Sequence, residues 1–128
     1  MHNATVTIHS PRGEHRTFRI TRRPDNSRWA PGQQVVALLT GQENETDYES
    51  FGFVRDDNSV RVFSKLRSQP GQAHNQWEIF ADMIAHPAHY EARGYTYLEA
   101  RRCSVCNRLL TTPESIAAGV GPSCSGRA

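Results

Sequence analysis

The sequence predicts an α+β fold: a small, curved, mainly antiparallel sheet, one packed helix and a short C-terminal module built around cysteines. Three observations predict it. Short stretches of alternating apolar and polar residues, separated by turn residues, fill the first half of the chain. The apolar period then changes to that of a helix near Trp77. Two of the three cysteines stand close together as Cys103-x-x-Cys106 near the C-terminal end.

The strands follow in order. Thr5-Val6-Thr7-Ile8-His9 alternates apolar with polar, and Ser10-Pro11-Arg12-Gly13 follows as a turn. Thr17-Phe18-Arg19-Ile20-Thr21-Arg22 alternates again, with Phe18 and Ile20 on one face and Arg19 on the other. Pro31-Gly32 signals a type II turn, because Pro sets φ at the first central position and Gly supplies a positive φ at the second. The unbroken run Val35-Val36-Ala37-Leu38-Leu39 reads as a strand buried on both faces. Phe51-Gly52-Phe53-Val54 and Val60-Arg61-Val62-Phe63 flank Arg55-Asp56-Asp57-Asn58-Ser59 as a hairpin. Five short strands of this kind suggest a strongly curved sheet or a barrel.

The helical part comes next. Asn75 can cap a helix, with Glu78 completing a capping-box pair, and Trp77, Phe80, Ala81 and Ile84 form one buried stripe. His86-Pro87 ends it, since a residue before Pro avoids helical angles. Tyr95-Thr96-Tyr97-Leu98 can form a strand leading to the cysteines. These elements divide the chain into a β-rich domain over residues 1–98, with its helix at about 75–86, and a C-terminal module over 99–128.

A chain of 128 residues, 37% of them hydrophobic, suits one domain with a modest core, or one domain and a small appendage. No apolar run approaches the roughly 20 residues of a membrane span, and no charged-then-apolar leader opens the chain. An odd cysteine count argues against a closed disulfide framework. A small cytoplasmic protein is expected. The formal charge of +2 hides a division. Residues 1–34 carry six Arg against Glu14 and Asp25, residues 35–60 carry Arg55 against six acids, and residues 61–75 are wholly basic at Arg61, Lys65 and Arg67.

The cysteine spacing is C-x2-C-x17-C, formed by Cys103, Cys106 and Cys124. Two thiolates two residues apart can aim at one ion, and Zn²⁺ favours thiolates in a tetrahedral shell. Between the pair and Cys124, Thr112 can cap a short helix with Pro113 in its first turn and Gly119 at its end, which would return Cys124 towards the pair. A redox Cys-x-x-Cys normally opens a helix in a βαβ unit, and none is visible here. The pattern therefore points to a structural Zn²⁺ in a zinc-knuckle-like module, ahead of redox chemistry or unrelated buried thiols. His89 or Glu99 can supply the fourth ligand; the other histidines, water or a partner chain are the remaining candidates.

The run Cys103-x-x-Cys106-Asn107-Arg108, continued by Thr111-Thr112-Pro113-Glu114-Ser115-Ile116 and Gly119-x-Gly121-Pro122-x-Cys124, closely resembles a small zinc-finger-like domain of unknown function. That domain is common in proteins of actinobacteria and their phages, where it forms a short C-terminal module. Some members place a His four residues before the first Cys, where this chain has Glu99. The resemblance implies a structural metal site and a phage origin, and it implies no reaction.

Nothing in the chain announces catalysis. Gly119-Val120-Gly121-Pro122 lacks the strand and helix of a dinucleotide fingerprint, no G-x-S-x-G elbow occurs, and Asp56-Asp57 belongs to a hairpin tip. A non-enzymatic protein is expected, with two classes of partner. The first reading is a protein-interaction module, a phage factor acting on a host protein through the acidic segment 41–50. The second is nucleic-acid binding through Arg12, Arg16, Arg19, Arg22, Arg23 and Arg28 beside Phe18 and Trp29, joined by Arg101, Arg102 and Arg108 around the cysteines. Phe18 alternates in phase with Ile20, which marks it as core and weakens its part in that surface.

Overall fold

A computed structural model of the chain describes residues 4–41, 46–99, 101–102 and 109–119. Six strands pair throughout in antiparallel fashion: β1 (Ala4–His9), β2 (His15–Arg22), β3 (Gln34–Leu39), β4 (Tyr48–Val54), β5 (Val60–Val62) and β6 (Thr96–Glu99). Their order is β5-β4-β3-β2-β1-β6, so the sheet is open, with β5 and β6 as its edges. The barrel alternative is corrected. Tyr97 pairs with Ile8, so a sixth strand extends the sheet beyond β1, while β5, at the other end, pairs with β4.

Two hairpins share one turn chemistry. In β1–β2 the Gly13 N–H donates to Ser10 O and the Ser10 N–H to Glu14 O; in β4–β5 the Asn58 N–H donates to Arg55 O and the Arg55 N–H to Ser59 O. Each is a tight turn closed by a residue in the left-handed region, Gly13 at φ 94° and Asn58 at φ 68°, the residue types that tolerate it. The β2–β3 connection ends in the expected type II turn, with the Gln33 N–H donating to Ala30 O across Pro31-Gly32 and Gly32 at φ 71°.

The register gives the sheet two different faces. Ile8, Phe18, Ile20, Val36, Phe51, Val54 and Val62 join one core, and a bulge between Val36 and Ala37 turns Phe51 into it. Helix α1 (Gln76–Ala85) covers this face with Ala81, Met83 and Ile84, while Trp77 and Phe80 pack at its margin. Ring centroids of Phe18–Phe80 and Phe51–Trp77 lie 5.4 Å and 5.3 Å apart. The capping box is complete: Asn75 Oδ1 accepts from the Glu78 N–H at 3.0 Å, and Glu78 Oε1 accepts from the Asn75 N–H at 3.2 Å.

The helix ends at His86, but Pro87 then starts a second helix, α2 (Pro87–Glu91), which the sequence reading did not include. Pro at the first helical position is preorganised for a new turn, so the residue that closes one helix opens another. The Tyr95 N–H donates to Tyr90 O and the Gly94 N–H to Glu91 O, with Gly94 at φ 94°. The Tyr90 and Tyr95 rings meet at 5.2 Å, completing a Schellman-type stop that feeds directly into β6.

The second face carries the C-terminal segment over β1, β2 and β6. There β7 (Arg101–Arg102) pairs with β8 (Leu109–Leu110), and α3 (Pro113–Ala118) follows. Leu110 and Ile116 are buried against Leu98.

Candidate functional site

The C-terminal segment is anchored by three threonines. Thr7 and Thr17 face each other across β1–β2 on the second sheet face, and both are buried. Thr7 Oγ1 donates to the Thr111 carbonyl at 2.8 Å and lies 2.8 Å from Thr17 Oγ1, which is itself 3.3 Å from that carbonyl. Hydroxyls that would be costly in a dry interface are thereby satisfied, and one carbonyl just after β8 is held in register with the sheet. Immediately beyond, Thr112 Oγ1 accepts from the Ser115 N–H at 3.3 Å, Pro113 occupies the first turn of α3, and Gly119 ends it at φ 75°. The short helix expected between the cysteines is therefore present with its expected cap and stop.

Cys103, Cys106, Cys124 and Arg108 lie outside the described residues. What surrounds the first two in sequence is described: Arg102 pairs with Leu109, and Cys103 and Cys106 fall between these two residues in the sequence. Of the two candidates for a fourth ligand, His89 is exposed on α2 with its ring edge-on to Tyr90 at 5.4 Å. Glu99 is exposed at the end of β6, paired with Val6, one residue past the Leu98 that packs on Ile116. Among the described residues no three His, Cys, Asp or Glu side chains converge on a common point.

The N-terminal arginines meet different neighbours. Arg19 projects from the second face with its guanidinium 3.9 Å from the Tyr48 ring centroid. Arg22, one strand position from Thr21, pairs with Asp25 at 3.4 Å, and Arg28 is exposed in the β2–β3 connection. Arg23 donates to Ser27 Oγ at 2.9 Å and sits 5.6 Å from the Trp29 ring. Its Nε is buried with no hydrogen-bond partner among the described residues, a local cost accepted where the guanidinium is held beside an aromatic ring. Arg102 is exposed on β7. Phe18 is wholly buried, as its alternation predicts.

A second constellation was missed in the sequence. Trp29, Phe53 and Phe63 form a three-ring cluster, with centroids 5.8 Å apart for Trp29–Phe53 and Trp29–Phe63 and 5.0 Å for Phe53–Phe63. It sits at the β4–β5 end of the second face, where Phe53 pairs with Arg61. A groove of about 570 Å³ runs along it, lined by Trp29, Phe53, Phe63, Arg61, Lys65 and Arg67 among others, with no acidic side chain among the described residues of its wall. The Arg67 Nε also donates to Val62 O at 2.7 Å, which blocks part of the exposed β5 edge. The available signal was the wholly basic segment 61–75 beside Phe63, together with the opposite parity of Phe53 and the core residues Gly52 and Val54.

Two tyrosines brace the α1 side. Tyr97 Oη donates to Met83 O at 2.6 Å, and burial pushes its hydroxyl pKa upward. Tyr90 Oη donates to Asp82 Oδ2 at 2.7 Å; burial first, then that carboxylate, push its pKa up to about 12.

Residues 98–128 match a family of unknown function, DUF6011, which marks this end of the chain as a small domain without an assigned role. No curated protein and no solved structure matches the chain. No helix among the described residues is long and apolar enough to cross a membrane.

Proposed function

We propose that this is a non-enzymatic, phage-encoded zinc protein in which a structural Zn²⁺ on Cys103, Cys106 and Cys124 holds the C-terminal module together, and that its ligand is a nucleic acid. The zinc reading is supported by the β7–β8 pairing on either side of Cys103 and Cys106 in the sequence, and by the capped helix α3 between them and Cys124. His89 and Glu99 are the proposed sources of the fourth ligand. Among the described residues of the module, Leu110 and Ile116 pack with Leu98 in a slight core, and a metal supplies folding free energy beyond such a core.

The observation that carries the ligand class is the groove of aromatic rings and cations at the β4–β5 end, which suits stacking and phosphate contacts rather than bond chemistry. The host-protein reading rests on the acidic segment 41–50 of the sequence, of which residues 42–45 lie outside the described residues.

Elemental analysis of the purified chain should find one zinc per molecule. Chelation, or Cys103→Ser, should strip hydrogen-exchange protection from residues 109–119 while the β2–β3 amides keep theirs. A chain that takes up no zinc on reconstitution, or a module equally protected after verified metal removal, overturns the zinc reading.

A further inference from the structure

We infer that the β4–β5 end of the second sheet face is a stacking platform for a single-stranded polynucleotide, with Trp29, Phe53 and Phe63 receiving bases and Arg61, Lys65 and Arg67 receiving phosphates. The inference rests on the nucleic-acid reading above and adds the strand type and the site.

The rings are preorganised. Trp29 is 46% exposed although it packs on two phenylalanines, so a large apolar surface is kept in water. Its position is set by backbone as well as by rings. Ser27 Oγ donates to Trp29 O at 2.8 Å and accepts from the Trp29 N–H at 3.3 Å, while Arg23 donates to the same hydroxyl. The type II turn at Pro31-Gly32 then returns the connection to β3. Phe53 is held by β4, and Phe63 is tied back by its N–H donating to Phe51 O at 2.9 Å. A binder built this way loses little side-chain entropy on stacking.

The charge defines the occupant. Among the described residues three cations and no acid line the groove, whereas the neighbouring groove between β5 and α1 mixes Arg61 and Arg67 with Glu78 and Asp82. An apolar peptide or a second copy of this face would have to desolvate Arg61 and Lys65 without a counter-charge. A polyanion that also presents flat faces meets both halves of the surface, and a single strand offers base faces that a duplex has already stacked internally. On the same sheet face Tyr48 and Arg19 form a further ring–cation stack. Tyr48 pairs with Leu39 and Phe53 with Val35, a spacing of roughly 13 Å at about 3.3 Å per residue, so the strand has a second point of contact along its path.

Fluorescence anisotropy on the zinc-loaded full chain tests this, with oligothymidylate of about 12 nucleotides and a blunt hairpin duplex as probes. The single strand should bind more tightly than the duplex and weaken as salt rises. Trp29→Ala should weaken it roughly 5- to 150-fold with the thermal midpoint preserved, and Trp29→Phe should restore most of the loss. Lys65→Gln should make the log K against log salt slope shallower by about 0.7. Salt-dependent binding of either probe that is indifferent to Trp29→Ala overturns the platform and leaves the nucleic-acid reading standing. Absence of binding to both probes at low salt overturns both.

Discussion

The two faces of the sheet are covered by different physics. Under α1 the cover is redundant: Phe18, Phe51, Phe80 and Trp77 interlock, edge to face except for the tilted Phe51–Trp77 pair, and aliphatic residues from five strands fill the space between them. On the second face the C-terminal segment rests on Leu98, Leu110 and Ile116, and a polar clamp of Thr7, Thr17 and Thr111 sets its register. A large apolar interface tolerates the loss of any one contact in its geometry, though not in its energy. A small one depends on a few directional bonds and on whatever else ties the segment together. That contrast is the physical ground for the metal proposed at the C-terminal end.

The contrast can be broken from the strong side first. Phe51→Ala empties a fully buried position at the bulge of β4 and should cost about 3–5 kcal/mol, read as a lower denaturation midpoint for the whole protein. An effect confined to residues near β4 would show that the α1 core is less cooperative than its packing implies.

Thr7→Val keeps the shape and removes the donor to Thr111 O. Thr17, at 3.3 Å, can take over that carbonyl, so the single change should cost about 1 kcal/mol. The double change with Thr17→Val orphans the carbonyl and should cost about 1–3 kcal/mol, with exchange rising first at residues 109–119. Loss of protection in β3 before α3 would contradict the division between the faces.

The smallest effect is one of pH. The Glu78 carboxyl is held below its usual range, first by hydrogen bonds from Ser68 and then by the Asn75 N–H. A carboxylate whose folded pKa is depressed adds stability that is present above its unfolded pKa and is lost as pH falls through the folded value. Acidification should therefore loosen the start of α1, and Glu78→Gln should flatten that acid limb. An unchanged acid limb in the variant would remove Glu78 from this role.

Much of the helix face was legible because periodicity is a local property. Phe18 and Ile20 alternate, Trp77, Phe80, Ala81 and Ile84 recur at helical spacing, and Asn75 and Glu78 sit at capping-box separation, so each could be read without knowing its partner. Thr112, Pro113 and Gly119 marked α3 for the same reason. Helix α2 was obscured because Pro87, read as a stop, is equally a start. For the arginines, sequence adjacency says nothing of the neighbour each one meets: Arg22 pairs with Asp25 and Arg19 stacks on Tyr48.

By itself, then, the sequence determined the strands, the principal helix, the capped helix near the C-terminal end and the cysteine spacing that points to a metal, since each depends on residues within one or two turns of each other. Only the tertiary structure decided that Thr7 and Thr17 clamp a carbonyl more than ninety residues away, and that Trp29, Phe53 and Phe63 share one cationic groove. Those meetings depend on strand order and register, which bring distant segments onto one face and which no local pattern encodes.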